Sequence, residues 1–206
     1  QSTSASASVA KGVADGLCLN TTLEHLLMEQ CALGPDGAAA LSTALVSSNR
    51  RTSLRRLELA GNMLGPGAGT YDLFEALRSN SVLTRLGLRM NRIGGGGGSA
   101  VRVLSEAMGG GTCRLCSIDL SYNELRCRGL ITLSEALAVP SCTVRELILE
   151  KNDIKGEGIV ALTDAIDQNP RSSLATLSLK GNDIGNGGAI ALGMMLGRNA
   201  TLETLD

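Results

Sequence analysis

One apolar skeleton returns along this chain about every thirty residues. Its fullest copies are Leu54-x-x-Leu57-x-Leu59-x-x-Asn62-x-Leu64 and Leu174-x-x-Leu177-x-Leu179-x-x-Asn182-x-Ile184. Between them lie Leu83 to Ile93, Leu115 to Leu125 and Val144 to Ile154. Leu23 to Leu33 precedes them with Cys31 in the asparagine slot, and a cut copy begins at Leu202 and Leu205. Successive copies start 28 to 32 residues apart. Self-similarity at such a period means stacked units that share one continuous core.

Within one copy the period changes. Leu57 and Leu59 alternate with polar residues, which predicts a short strand with one buried face. Gly65-Pro66-Gly67 breaks and turns the chain. Leu73, Ala76 and Leu77 then recur at helical spacing. The helical half has its own signature: Gly37 to Leu45, Gly129 to Leu137 and Gly158 to Ile166 place apolar residues at the fifth, eighth and ninth positions, on one face. Val13 and Leu17 extend this frame to a helix over Ser8 to Leu19. The asparagine column offers one acceptor and two donors to backbone groups that leave the strand while still buried. A helix is about 10 Å wide and strands pair at about 4.8 Å. Stacking the two side by side forces a curve. The predicted fold is an α/β solenoid, a curved horseshoe with a parallel sheet on the concave face and helices on the convex face.

The run Leu-x-x-Leu-x-Leu-x-x-Asn-x-Leu-Gly, followed by Gly-Ala-x-Ala-Leu-x-x-x-Leu, resembles the ribonuclease-inhibitor-like leucine-rich repeat. Leu177 through Leu196 carries the likeness most fully, and nearly the whole chain shares it. That family includes ribonuclease inhibitor, sensor halves of NOD-like receptors, Ran GTPase-activating protein, tropomodulin-type actin regulators and ciliary scaffolds. Its members share a horseshoe and a habit of binding proteins, not one chemistry. The resemblance implies a non-catalytic scaffold for a protein partner in the eukaryotic cytoplasm, with a cytoskeletal or ciliary setting included. The alternative is a regulatory module of an enzyme or sensor, of GTPase-activating or NOD-like-receptor type. Residues 1–206 are expected to form one domain of about six full repeats with a partial repeat at each end. Gln1 opens the chain without an initiator Met, and Asp206 falls within a strand motif, so a piece of a larger chain or assembly is expected.

Charge and composition narrow the partners. The formal net charge is −1 and aromatics make up 1% of the chain. That balance gives no field for nucleic acid or an anionic membrane, and few rings for stacking on bases. No apolar run approaches the ~20 residues of a membrane helix. The six cysteines are irregularly placed in a leucine-rich core and read as reduced cytosolic thiols. Cys113-x-x-Cys116 has a metal-like spacing, but the repeat frame puts Cys113 and Cys142 side by side and Cys127 at the opposite edge, where four thiolates cannot converge. The Gly94 to Gly98 run lacks the Lys-Ser/Thr pair of a phosphate loop and reads as a turn. His25 has no nucleophile beside it. No catalytic residue, cofactor or metal ligand is expected.

What differs between copies is where a partner would be read. Outward strand positions form three columns. His25, Arg56, Arg85, Ser117, Glu146 and Thr176 make the first; Leu27, Glu58, Gly87, Asp119, Ile148 and Ser178 the second; Glu29, Ala60, Arg89, Ser121, Glu150 and Lys180 the third. Basic Arg56, Arg85 and Arg89 precede acidic Asp119, Glu146 and Glu150, a polarised pattern that suits a partner of complementary charge. It equally suits a merely solvated face. Tyr122, at the edge, is the one aromatic anchor, which departs from the aromatic groove of ribonuclease inhibitor. Concave candidates are therefore Arg56, Arg85, Arg89, Asp119, Tyr122, Glu146, Glu150 and Lys180. On the convex side Ile131, Val160, Ile190 and Met194 form an apolar drift that reads as a docking stripe or as scattered surface apolars.

Overall fold

A computed structural model describes residues 2–47, 53–95, 98–169 and 171–206. Helices and strands alternate from end to end: α1 (Ser2–Leu19), β1 (His25–Leu27), α2 (Gly34–Ser47), β2 (Arg56–Glu58), α3 (Ala68–Leu77), β3 (Arg85–Gly87), α4 (Ser99–Gly109), β4 (Ser117–Asp119), α5 (Arg126–Leu137), β5 (Glu146–Ile148), α6 (Gly156–Gln168), β6 (Thr176–Ser178), α7 (Gly185–Leu196) and β7 (Thr204–Leu205). The strands pair in chain order, all parallel, in one seven-stranded sheet. Arg56 pairs with Arg85, Arg85 with Ser117 and Ser117 with Glu146, so the first column of the sequence reading is one row of the sheet. The wider helix layer leaves the sheet on the concave side of the α/β solenoid.

The core lies between the two layers. Leu57, Leu86, Ile118, Leu147 and Leu177, the middle residues of five strands, are all fully buried. Leu73, Leu104, Leu133 and Leu162 meet them from the helices and are equally enclosed. The first and last strands are less covered: Leu26 is half-buried, and Leu205 is exposed. Glycine sets the helix spacing in places. A Cβ at Gly69 would overlap the Pro35 carbonyl, so α2 and α3 approach closely there.

Five asparagines stitch the turns after the strands. Asn91 Oδ1 accepts N–H bonds from Asn62 at 3.0 Å and Leu64 at 3.4 Å, both in the preceding repeat. Its Nδ2 donates to Leu59 O at 2.8 Å and Leu88 O at 3.0 Å. Asn62, Asn123, Asn152 and Asn182 repeat both halves of this pattern. Left-handed backbone flanks Asn62, Asn91, Asn123 and Asn152 on both sides, and Asn182 on one, at Gly181. Met90 and Arg92 flank Asn91 with φ of 58° and 57°, and Tyr122 and Glu124 flank Asn123 with φ of 57° each. Cys31 fills the first slot without a carboxamide, and its thiol donates to Glu29 O at 3.3 Å.

A second set of asparagines closes the other end of the repeat. Asn80 Oδ1 accepts from the N–H of Val82 and Leu83, while Nδ2 donates to Leu45 O. Asn20 and Asn199 cap the corresponding turns through Thr22 and Leu23, and through Thr201 and Leu202. The glycosylation-like triplets Asn20-Thr21-Thr22 and Asn199-Ala200-Thr201 therefore fall on turn-capping side chains. Of the glycine run expected to form a turn, Gly94, Gly95 and Gly98 precede α4, whereas residues 96–97 lie outside the described residues.

Candidate functional site

The three outward columns lie together on the concave face. Strand register aligns the first two. The third continues past the strands through backbone bonds, among them Gly61 N to Arg89 O, Met90 N to Ser121 O and Tyr122 N to Glu150 O. Their charges are not separate fields. Arg85 reaches over β4 to Glu146 at 3.2 Å, and Arg89 makes the same reach to Glu150 at 3.4 Å. Arg56 turns back to Glu58 in its own strand at 2.8 Å. The expected polarity from basic to acidic is thus largely folded into pairs within the face.

Short residues on β4 and in the turn after it make these bridges possible. Ser117 and Ser121 stand where Arg85 and Arg89 would otherwise meet a long side chain. Ser117 Oγ donates to Glu146 at 2.6 Å. Ser121 is fully buried, and among the described residues its hydroxyl makes no hydrogen bond. Asp119 lies between them in the second column. It accepts the Ser121 N–H at 2.8 Å and, among the described residues, has no ion-pair partner. Lys180, next to Glu150 in the third column, is exposed and likewise has no ion pair among the described residues.

Tyr122 does stand on the rim, but not alone. The Arg89 guanidinium lies 4.3 Å from its ring centroid, a stacking distance. Met63 and Met90 continue that rim and are 56% and 53% exposed, against 38% for Tyr122. Sequence reasoning missed both methionines. They fall in the left-handed turn positions flanking the asparagines, outside the strand and helix periods. A signal was there: the residues on either side of the asparagine column are held out by backbone geometry, so a large apolar residue in those slots is displayed.

The convex candidates are distributed along α5 to α7. Ile131 is half-buried, while Val160, Ile190 and Met194 are exposed. Ile190 and Met194 share one side of α7, four residues apart. Among the described residues no group of three or more His, Cys, Asp or Glu is placed to hold a metal ion. Cys113 and Cys142 are buried neighbours; burial raises both thiols, and for Cys113 the nearby Cys142 adds to the rise. Cys127 lies elsewhere, accepting the Lys155 N–H at 3.4 Å. Cys116 donates to Thr84 O at 3.2 Å.

The comparisons agree with this architecture. A family model described as a leucine-rich repeat matches residues 19–42, 79–101, 141–162 and 172–193. Each match spans a strand, its turn and the start of the next helix. Those four repeats match the leucine-rich-repeat family, and the alternating helices and parallel strands form a leucine-rich-repeat solenoid. The units around β2 and β4 fall outside those matches yet carry the same strand, asparagine turn and helix. Among solved structures, leiomodin-1 actin-binding site 2 is similar with a TM-score of 0.59 and 15% identity, over 76% of this chain and 86% of that one. At that identity the likeness concerns the fold. No curated protein matches the sequence significantly. Among the described residues no helix is long and apolar enough to cross a membrane.

Proposed function

We propose that this chain is a non-catalytic protein-interaction scaffold that engages its partner through the concave face. The observation that carries the reading is the concave centre itself: Arg85, Arg89, Asp119, Tyr122, Glu146 and Glu150 crowd one surface, with Arg89 held against Tyr122. Tyrosine and arginine dominate interface hot spots, and a stacked pair loses little further freedom on binding. Exposed ion pairs contribute about 0–1 kcal/mol each. A partner can therefore exchange them at small cost. Arg56 and Lys180 extend the surface at its two ends.

The long repeat, with a full helix opposite every strand, favours the ribonuclease-inhibitor-like class within the leucine-rich repeats. Residues 1–206 act in this reading as one binding module in the cytoplasm. Leiomodin-1 actin-binding site 2 is named for actin, which makes actin the first partner to test here and a cytoskeletal setting the first to look for. The convex residues Ile131, Val160, Ile190 and Met194 form a second, weaker surface.

The test compares three proteins: wild type, a concave variant (R85A/Y122A) and a convex variant (V160K/I190K). Each is sedimented with filamentous actin and used for affinity capture with mass spectrometry. The concave reading predicts a partner retained by wild type and the convex variant and lost from the concave one. Loss from the convex variant alone would move the site to the helices.

A further inference from the structure

We propose that the rim formed by Met63, Met90 and Tyr122 anchors an amphipathic segment of a partner protein, with its apolar side on the rim and a lysine or arginine reaching Asp119. The proposal rests on the concave-face reading and specifies the chemistry of the partner.

Three observations support it. The rim is apolar and displayed where the fold itself gives no reason for it. Met63, Met90 and Tyr122 all have positive φ; Met90 and Tyr122 precede their asparagines, where other repeats hold Gln30, Gly61, Lys151 and Gly181, and Met63 follows its asparagine, where others hold Ala32, Arg92, Glu124 and Asp153. Those polar or small residues satisfy the same turn, so the turn does not require a methionine or a tyrosine there. Methionine and tyrosine are both favoured at contact surfaces, methionine because its flexible thioether adapts to a partner's shape.

The rim is also preorganised. Arg89 is held at both ends, by the Tyr122 ring and by Glu150. Ser121 is fully buried, and its hydroxyl makes no hydrogen bond among the described residues.

Charge then selects the partner. Beside the rim, two guanidinium groups (Arg85 and Arg89) face three carboxylates (Asp119, Glu146 and Glu150). The two arginines are taken up by Glu146 and Glu150, and Asp119 is the carboxylate there without an ion pair among the described residues. The two Arg–Glu bridges run on either side of it, in the first and third columns. An incoming cation pairs with Asp119, whereas an incoming carboxylate meets a charge of its own sign there.

The experiment uses three synthetic amphipathic peptides with an identical Leu/Met face and a single differing polar position: Lys, Gln or Glu. Binding to the full chain is read by fluorescence anisotropy, with wild type, M90K, D119N and I190K. Two of these substitutions are mild by construction. Lys151 already occupies the slot equivalent to Met90 with φ of 50°, and Asn at 119 keeps the oxygen that accepts the Ser121 N–H.

The expected result is binding of the Lys peptide about tenfold tighter than the Gln peptide, with the Glu peptide weakest. D119N should abolish that preference without abolishing binding. M90K should weaken all three peptides, and I190K none. Absence of binding, equal binding to M90K, or a preference for Glu would overturn the proposal. Binding that is lost in R85A/Y122A but shows no Lys preference would sink this inference and leave the concave reading standing. Binding lost only in I190K would sink both.

Discussion

Asparagine is the residue on which each repeat depends, because one side chain serves two repeats at once. Asn123 Oδ1 accepts from Asn91 N and Ile93 N, while its Nδ2 donates to Leu88 O, Leu120 O and Ser121 O. Leucine at that position strands several buried groups, each costing about 1–3 kcal/mol. Asn123→Leu should therefore destabilise by roughly 3–5 kcal/mol in urea unfolding. Asn91→Asp keeps the acceptor and loses the donors, so its cost should be smaller, and smaller still at pH 4, where a protonated acid regains one donor, than at pH 7. Equal midpoints for the two variants would count against the ladder. The cysteine pair makes a second prediction at this scale. Burial lifts both thiols above their ordinary value of 9.0. A raised folded-state value means that the associated stability is complete below pH 9 and declines as pH rises through the folded values. Urea midpoints at pH 8 and pH 10 should differ less in a C113A/C142A variant than in wild type.

Elements were the most legible level in the sequence, and the reason is periodic burial. Leu57 with Leu59, and Leu73 with Leu77, announce a strand and a helix because their buried faces repeat. The row joining Arg56, Arg85, Ser117 and Glu146 was also readable, since a parallel register in a repeat protein follows from the spacing of its copies. What could not be read is how side chains two repeats apart meet. The bridge from Arg85 to Glu146 depends on Ser117 being short and on the rotamers of two long side chains, neither of which leaves a periodic trace. Met63 and Met90 were missed for a related reason: turns carry no period. Helix spacing gives a prediction here. Gly69→Ala should destabilise by about 1–3 kcal/mol, because its Cβ would overlap the Pro35 carbonyl. Gly193→Ala, with open space around it in α7, should instead stabilise by roughly 0.5–1 kcal/mol. Thermal or urea unfolding of the two variants checks the contrast in sign.

At the scale of the whole molecule, a rigid ladder presents an adjustable surface. The leucines and asparagines hold one repeat on the next, and the columns between them are free to differ. Paired charges on the concave face contribute little to stability, so R89A/E150A should shift the unfolding free energy by less than about 1 kcal/mol. The same change should weaken partner binding, because it removes the group that holds Tyr122 in place. The most direct test of the account is amide hydrogen exchange of the chain with and without its captured partner. The account predicts slowed exchange over residues 85–92 and 117–124, with α6 and α7 unchanged. Protection confined to α5, α6 and α7 would contradict it.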